Sequence, residues 1–214
     1  MITTRSLAAL MLALSILTPC QSWGDELSES YFPLKEGLRW EYNVISDQAA
    51  TKKLLITNLA PREVNGVKVT PRKWELGGST FIELMKQDES GVYRYAEQKG
   101  ESAAPSLITP MECHLRFPIA EGSSWNMAAK VGNSTVNLSL TIESLSDEVK
   151  VPGGTFKDCV KVKQAGENDG TSVIGYEWYA PKVGVVKSLV TIKQKSKEGL
   201  KSETRTYQLL SFKP

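Results

Sequence analysis

The sequence predicts an all-β domain, with antiparallel sheets from two pseudo-repeated halves closing as a sandwich or a half-open barrel. Three observations predict it. Apolar and polar residues alternate with a period of two, turn dipeptides separate the segments with no long helical pattern between them, and a nine-residue segment recurs 85 positions later. Strands without intervening helices pair through hairpins and meanders, because a parallel crossover needs about a dozen residues or more.

In chain order the first element is a leader. Arg5 is followed by eleven apolar and small residues, Leu7 to Leu17, too few for the roughly 20 that a membrane-spanning helix requires. Residues 1–24 are therefore expected to be a signal peptide, with Ser22 and Gly24 as the small residues ahead of a cut before Asp25. Leu17-Thr18-Pro19-Cys20 half resembles a lipoprotein box, and a lipid anchor on Cys20 is the alternative to a free periplasmic protein. Pro19 stands where that box wants a small residue, which favours simple cleavage. Removing 24 of 214 residues leaves 190, enough for one domain over 25–214.

The strands follow. Leu38, Trp40, Tyr42 and Val44 interleave with Arg39, Glu41 and Asn43, as a half-buried strand demands. Val136, Leu138, Leu140 and Ile142 interleave with Thr135, Asn137, Ser139 and Thr141 in the same way. Asn65-Gly66 suits a tight hairpin, and Gly77-Gly78, Ser90-Gly91, Gly153-Gly154 and Glu198-Gly199 mark further turns. The stretch Gln98 to Pro110 reads as a connector of small residues and prolines between halves at 28–105 and 110–214.

The repeat aligns Phe32-Pro33-Leu34-Lys35-Glu36-Gly37-Leu38-Arg39-Trp40 with Phe117-Pro118-Ile119-Ala120-Glu121-Gly122-Ser123-Ser124-Trp125, with five identities. Weaker echoes pair Ile56-Thr57-Asn58-Leu59 with Ile142-Glu143-Ser144-Leu145, and Gly91-Val92-Tyr93-Arg94 with Gly184-Val185-Val186-Lys187. Each half alone exposes an apolar sheet face, so two sheets sharing one core are expected.

Composition narrows function mainly by exclusion. With 26 Lys and Arg against 24 Asp and Glu, a net charge of +2 supplies no footprint for nucleic acid. One histidine and three cysteines are too few for a zinc site of His and Cys, and the glycine doublets lack the Lys-Ser/Thr of a phosphate loop, so no cofactor is expected. From Lys182 onward eight Lys or Arg face only Glu198 and Glu203, read as a solvated strand face whose lysines guard against edge-to-edge association, with a contact to anionic lipid as the alternative.

Several segments resemble landmarks of uncharacterised exported bacterial proteins, a β-rich family of unknown function of periplasmic or lipoprotein type. They are Phe32-Pro33-Leu34 with Gly37 and Trp40, Pro152-Gly153-Gly154-Thr155-Phe156-Lys157-Asp158-Cys159, Tyr179-Ala180-Pro181 and Val183-Gly184-Val185-Val186-Lys187. The resemblance implies an exported β domain and brings no catalytic residue with it.

Candidate chemistry is sparse. Cys113 and His114 are adjacent, which turns their side chains to opposite faces of a strand and argues against a catalytic pair. In an oxidising compartment Cys113 and Cys159 are candidates for a disulfide, two buried thiols being the alternative. Trp40, Trp74, Trp125, Tyr176 and Trp178 are candidates to line an apolar groove, or to pack the core. The expected function is a non-catalytic envelope module that binds a lipid or other apolar ligand, or an envelope protein. A hydrolase of envelope polymers using carboxylates such as Asp88-Glu89 or Asp147-Glu148 is the rival.

Overall fold

Period-two burial runs through the computed structural model, which describes residues 31–131, 134–168, 170–196 and 199–214. The expected leader and Cys20 lie outside these residues. In chain order the strands are β1 (Arg39–Ser46), β2 (Lys52–Asn58), β3 (Arg62–Val64), β4 (Val67–Leu76), β5 (Ser79–Asp88), β6 (Gly91–Gln98) and β7 (Ser106–Arg116), the last of which spans the boundary expected between the halves. They are followed by β8 (Ser124–Val131), β9 (Ser134–Val151), β10 (Gly154–Asn168), β11 (Thr171–Ala180), β12 (Gly184–Ser196) and β13 (Gly199–Lys213). No helix among the described residues is long and apolar enough to cross a membrane.

All thirteen strands belong to one antiparallel sheet, in the order β7-β6-β5-β4-β2-β1-β13-β12-β11-β10-β9-β8, with β3 paired to β4 off this path. The sheet is nearly closed into a barrel. Instead of two sheets sharing a core, β1 and β13 pair with each other, from Trp40 opposite Phe212 to Ser46 opposite Arg205. A single sheet covers its own apolar face by curling, so the half-open barrel is realised and the sandwich is not.

The free edges are β7 and β8, elements adjacent in sequence. The lysines of β12 and β13 therefore lie mid-sheet, and edge protection does not explain them. At the seam, Trp125 Nε1 donates to the Cys113 carbonyl at 2.8 Å. The expected connector is shorter than its composition suggested, because β7 already begins at Ser106 and runs through Pro110. Proline removes a ladder donor, which an edge strand tolerates. Pro71 escapes the same penalty differently: it sits where β4 changes partner, from β2 at Arg72–Asn58 to β3 at Val69–Arg62.

Both Phe-Pro segments enter the sheet through the same clasp. Gly37 and Gly122 have φ of 85° and 81°, a conformation that glycine adopts without a Cβ clash. Gly37 N donates to Asn58 O and Asn58 N to Leu38 O; Gly122 N donates to Ile142 O and Ile142 N to Ser123 O. The clasp matches Asn58 with Ile142, and the ladders set Trp40 opposite Ile56 and Trp125 opposite Leu140. The Ile56/Ile142 echo is thus displaced by two residues, a slip that keeps the same face and so escapes a pattern of period two.

Among the described residues a small cluster of Val69, Ile82, Leu84 and Ala96 accompanies two large ones. One gathers Phe32, Leu115, Trp125, Leu140, Val162 and Tyr179, and the other Trp40, Tyr42, Ile56, Val149, Cys159 and Leu209. Bulges between Phe156 and Val162 bend the β9–β10 hairpin. Its tip reaches β13, where Gly153 N donates to Leu209 O at 2.8 Å. A Cβ at Gly153 would stand 2.9 Å from that oxygen, so the backbone approach requires glycine.

Candidate functional site

Strands from around the sheet contribute side chains to a cavity of about 240 Å³ between the two clusters. Leu54 and Ile56 of β2 and Val185 and Val190 of β12 supply apolar wall, and Tyr42 and Tyr207 come from β1 and β13, which pair with each other. Trp40 Nε1 donates to Val183 O at 2.6 Å and Tyr42 OH to Val185 O at 2.7 Å, so β1 is tied across the interior to the start of β12.

Into this apolar frame the fold places Arg72, Glu83, His114, Gln164 and Glu177. Alternation explains how they arrive: Arg72 shares its strand face with Trp74 and Leu76, and Glu177 shares its face with Val173 and Tyr179. Arg72 is only 4% exposed. Its guanidinium carbon lies 4.8 Å from the Phe32 ring centre and 4.7 Å from that of Trp40, a cation–π sandwich. Phe32 comes from the segment ahead of β1, which Asn58 holds by donating from Nδ2 to the Pro33 and Lys35 carbonyls, each at 3.1 Å.

The carboxylates around Arg72 hydrogen-bond other groups, although its charge acts on both Glu83 and Glu177. Glu83 accepts from Trp74 Nε1 at 2.9 Å and pairs with Arg94 at 3.4 Å. Arg94 also pairs with Glu112, its Nε donating to Oε2 at 2.9 Å. Glu177 accepts a hydrogen bond from the Tyr179 hydroxyl. Burial raises the carboxyls of Glu83, Glu112 and Glu177 above the usual range, against the opposing pull of the arginines. Burial, with Arg94 and Arg72 nearby, pushes His114 down to about 3, so its imidazole is neutral at physiological pH. Arg72 Nε and His114 Nε2 are buried with no hydrogen-bond partner among the described residues.

The five aromatic candidates do not share a groove. Trp74 lines the cavity, Trp40 stands behind Arg72, and Trp125 bridges the seam. Tyr176 and Trp178 lie elsewhere, with Lys161 4.7 Å from the Tyr176 ring centre and Lys187 5.1 Å from that of Trp178. Cys113 and Cys159 are free buried thiols. They belong to different clusters, one on edge strand β7 and the other within the β9–β10 hairpin, and the disulfide expected from the compartment is not formed. Burial raises both thiols to about 11. His114 faces the cavity while Cys113 packs with the first cluster, in keeping with their adjacency on a strand.

Sequence reasoning missed Arg72, Glu83, Glu177 and the inward role of Phe32. A usable signal existed for Arg72, a charge in step with Trp74 and Leu76 on one strand face.

No family model and no curated protein matches the chain. Among solved structures it is similar to a "putative exported protein with YMCC-like fold" from Bacteroides fragilis, at 18% identity and a TM-score of 0.48, over 86% of this chain and 99% of that one. It is also similar to a "putative lipoprotein" from Parabacteroides distasonis, at 14% identity and a TM-score of 0.41, over 86% and 98%.

Proposed function

We propose that this chain is a non-catalytic binding module of the cell envelope that takes an apolar ligand into the barrel interior. The observation that carries the reading is the cavity of about 240 Å³, walled by Leu54, Ile56, Val185 and Val190 and reached by side chains from around the sheet. A cavity of about 150 Å³ accommodates benzene, so this one suits a ligand of about ten heavy atoms. Location in the envelope rests on the leader at 1–24, whether the product is free in the periplasm or anchored through Cys20.

Glu83 and Glu177 both reach the cavity, which is the feature a carboxylate-dependent hydrolase would need. The volume argues against that rival, since a polymer needs an open cleft that admits several sugar or peptide units. Native mass spectrometry of the mature protein tests the binding reading. A retained small molecule, released on unfolding, is the expected result. Protein that is empty as isolated and that takes up no small apolar probe would refute it.

A further inference from the structure

Arg72 presents a mismatch between charge and surroundings. Its side chain is buried, it cannot discharge by losing a proton, and its Nε has no partner. Glu83 and Glu177 are near enough to feel its charge, but among the described residues no carboxylate forms a direct ion pair with it: Glu83 is turned to Trp74 and Arg94, and Glu177 to Tyr179. Phe32 and Trp40 hold the guanidinium between their rings and offer no hydrogen-bond acceptor in the guanidinium plane. His114 Nε2, also buried and unpartnered, belongs to the lining of the same cavity.

These groups have distinct chemical capacities. The glutamates can become neutral by taking up a proton, and burial already biases them that way. A guanidinium, by contrast, is a permanent cation in proteins. A planar fork of N–H donors fixed between two aromatic rings is matched by a planar two-oxygen acceptor, which it binds with two parallel hydrogen bonds. Beyond it lie the apolar walls of Leu54, Ile56, Val185 and Val190.

We infer that the ligand of this cavity is a small monocarboxylate with an apolar body, its carboxylate held by Arg72 beside His114 Nε2 and its body packed against the β2 and β12 walls. The inference rests on the reading of the cavity as a ligand site, and it narrows that site to one chemical class. At about ten heavy atoms the body is that of a medium-chain acid, too short for a diacyl lipid.

The test uses octanoate, 1-octanol and octylamine, three probes of about ten heavy atoms that share a chain and differ in the head group. Binding to the mature protein is followed by calorimetry and by the fluorescence of Trp74, which lines the site. Octanoate is expected to bind at least about tenfold more tightly than 1-octanol, with octylamine weakest. Arg72→Gln is expected to weaken octanoate by at least about tenfold while leaving 1-octanol within about twofold. The comparison of head groups on the unaltered protein stands even if that variant fails to fold. Binding of 1-octanol or octylamine as tight as that of octanoate overturns the carboxylate assignment and leaves the cavity reading intact. Failure of all three probes to bind removes the cavity reading and the carboxylate with it.

Discussion

Trp125 of β8 donates its indole N–H to the carbonyl of Cys113 on β7 at 2.8 Å, across the one junction in the sheet order that no ladder closes. A side chain thus supplies a contact that backbone pairing supplies elsewhere around the barrel.

Trp125→Phe keeps an aromatic ring and removes that donor, leaving a buried carbonyl unpaired. We expect a loss of about 1–3 kcal/mol and a melting temperature lower by about 3–8 °C. Hydrogen exchange should quicken in β7 and β8 and remain unchanged in β1 and β13. An unaltered melting curve would remove the seam bond from the account of stability.

Arg94 and Lys53 make a contrasting pair. Arg94 bridges Glu83 and Glu112, whose side chains are each 9% exposed, whereas Lys53 pairs with Glu41 while its own side chain is 72% exposed. Arg94→Met strands two buried carboxylates and should cost about 3–5 kcal/mol in urea unfolding. Lys53→Met should cost under about 1 kcal/mol. Similar losses for the two would contradict the assignment of Arg94 to the interior.

His114 supplies a pH dependence of defined sign. Its ordinary value is 6.5 and burial, aided by Arg94 and Arg72, lowers it to about 3 in the folded chain. The unfolded chain therefore binds this proton first, so stability is full above pH 6.5 and falls as pH drops toward 3, then levels off. At about 1.4 kcal/mol per pH unit the loss approaches roughly 5 kcal/mol. His114→Gln should flatten that part of the stability profile. A variant as acid-sensitive as the parent protein would place the effect on other groups.

Gly153→Ala puts a methyl group 2.9 Å from Leu209 O and 3.0 Å from Leu210 O. Both obstacles are backbone, so the hairpin tip must move away from β13, at a cost of about 1–3 kcal/mol. Exchange of the Gly153 amide should rise sharply. Gly78→Ala is the control, a glycine whose Cβ would meet nothing within 4 Å. Its φ of 82° still carries some strain, but no contact is broken.

Cys113 and Cys159 should resist a thiol reagent at pH 8 in the folded protein, since burial raises both to about 11 and shields them. In denaturant without reductant both should react at once. Silence there would mean that the protein carries them paired.

Much of the barrel was legible because its signals are local. Alternation placed β1 and β9, and Asn65-Gly66 placed the turn between β3 and β4. The pairing of β1 with β13 left no local trace, since Trp40 and Phe212 lie far apart in the chain and nothing near either names the other. Pro110 suggested a connector because proline is foreign to most strands, and only its edge position resolves the conflict. Arg72 was hidden for a similar reason: a basic residue in a strand is ordinarily solvated, and its burial depends on Phe32 and Trp40 arriving from another element. The compartment alone favours a disulfide, whereas the fold puts Cys113 and Cys159 in different clusters.

The pairing of the first strand with the last also dictates the order of assembly. Strands β1 to β7 can zip into a meander as they emerge, but the outer edge of β1 finds its partner only when β13 has been made. Until then the nascent chain carries an open β edge beside the large apolar surface of Trp40 and Tyr42, a template for strands of other chains. Truncation anywhere in β13 would make that transient hazard permanent, so the fifteen residues of Gly199–Lys213 act as a closing clasp for a sheet begun at β1.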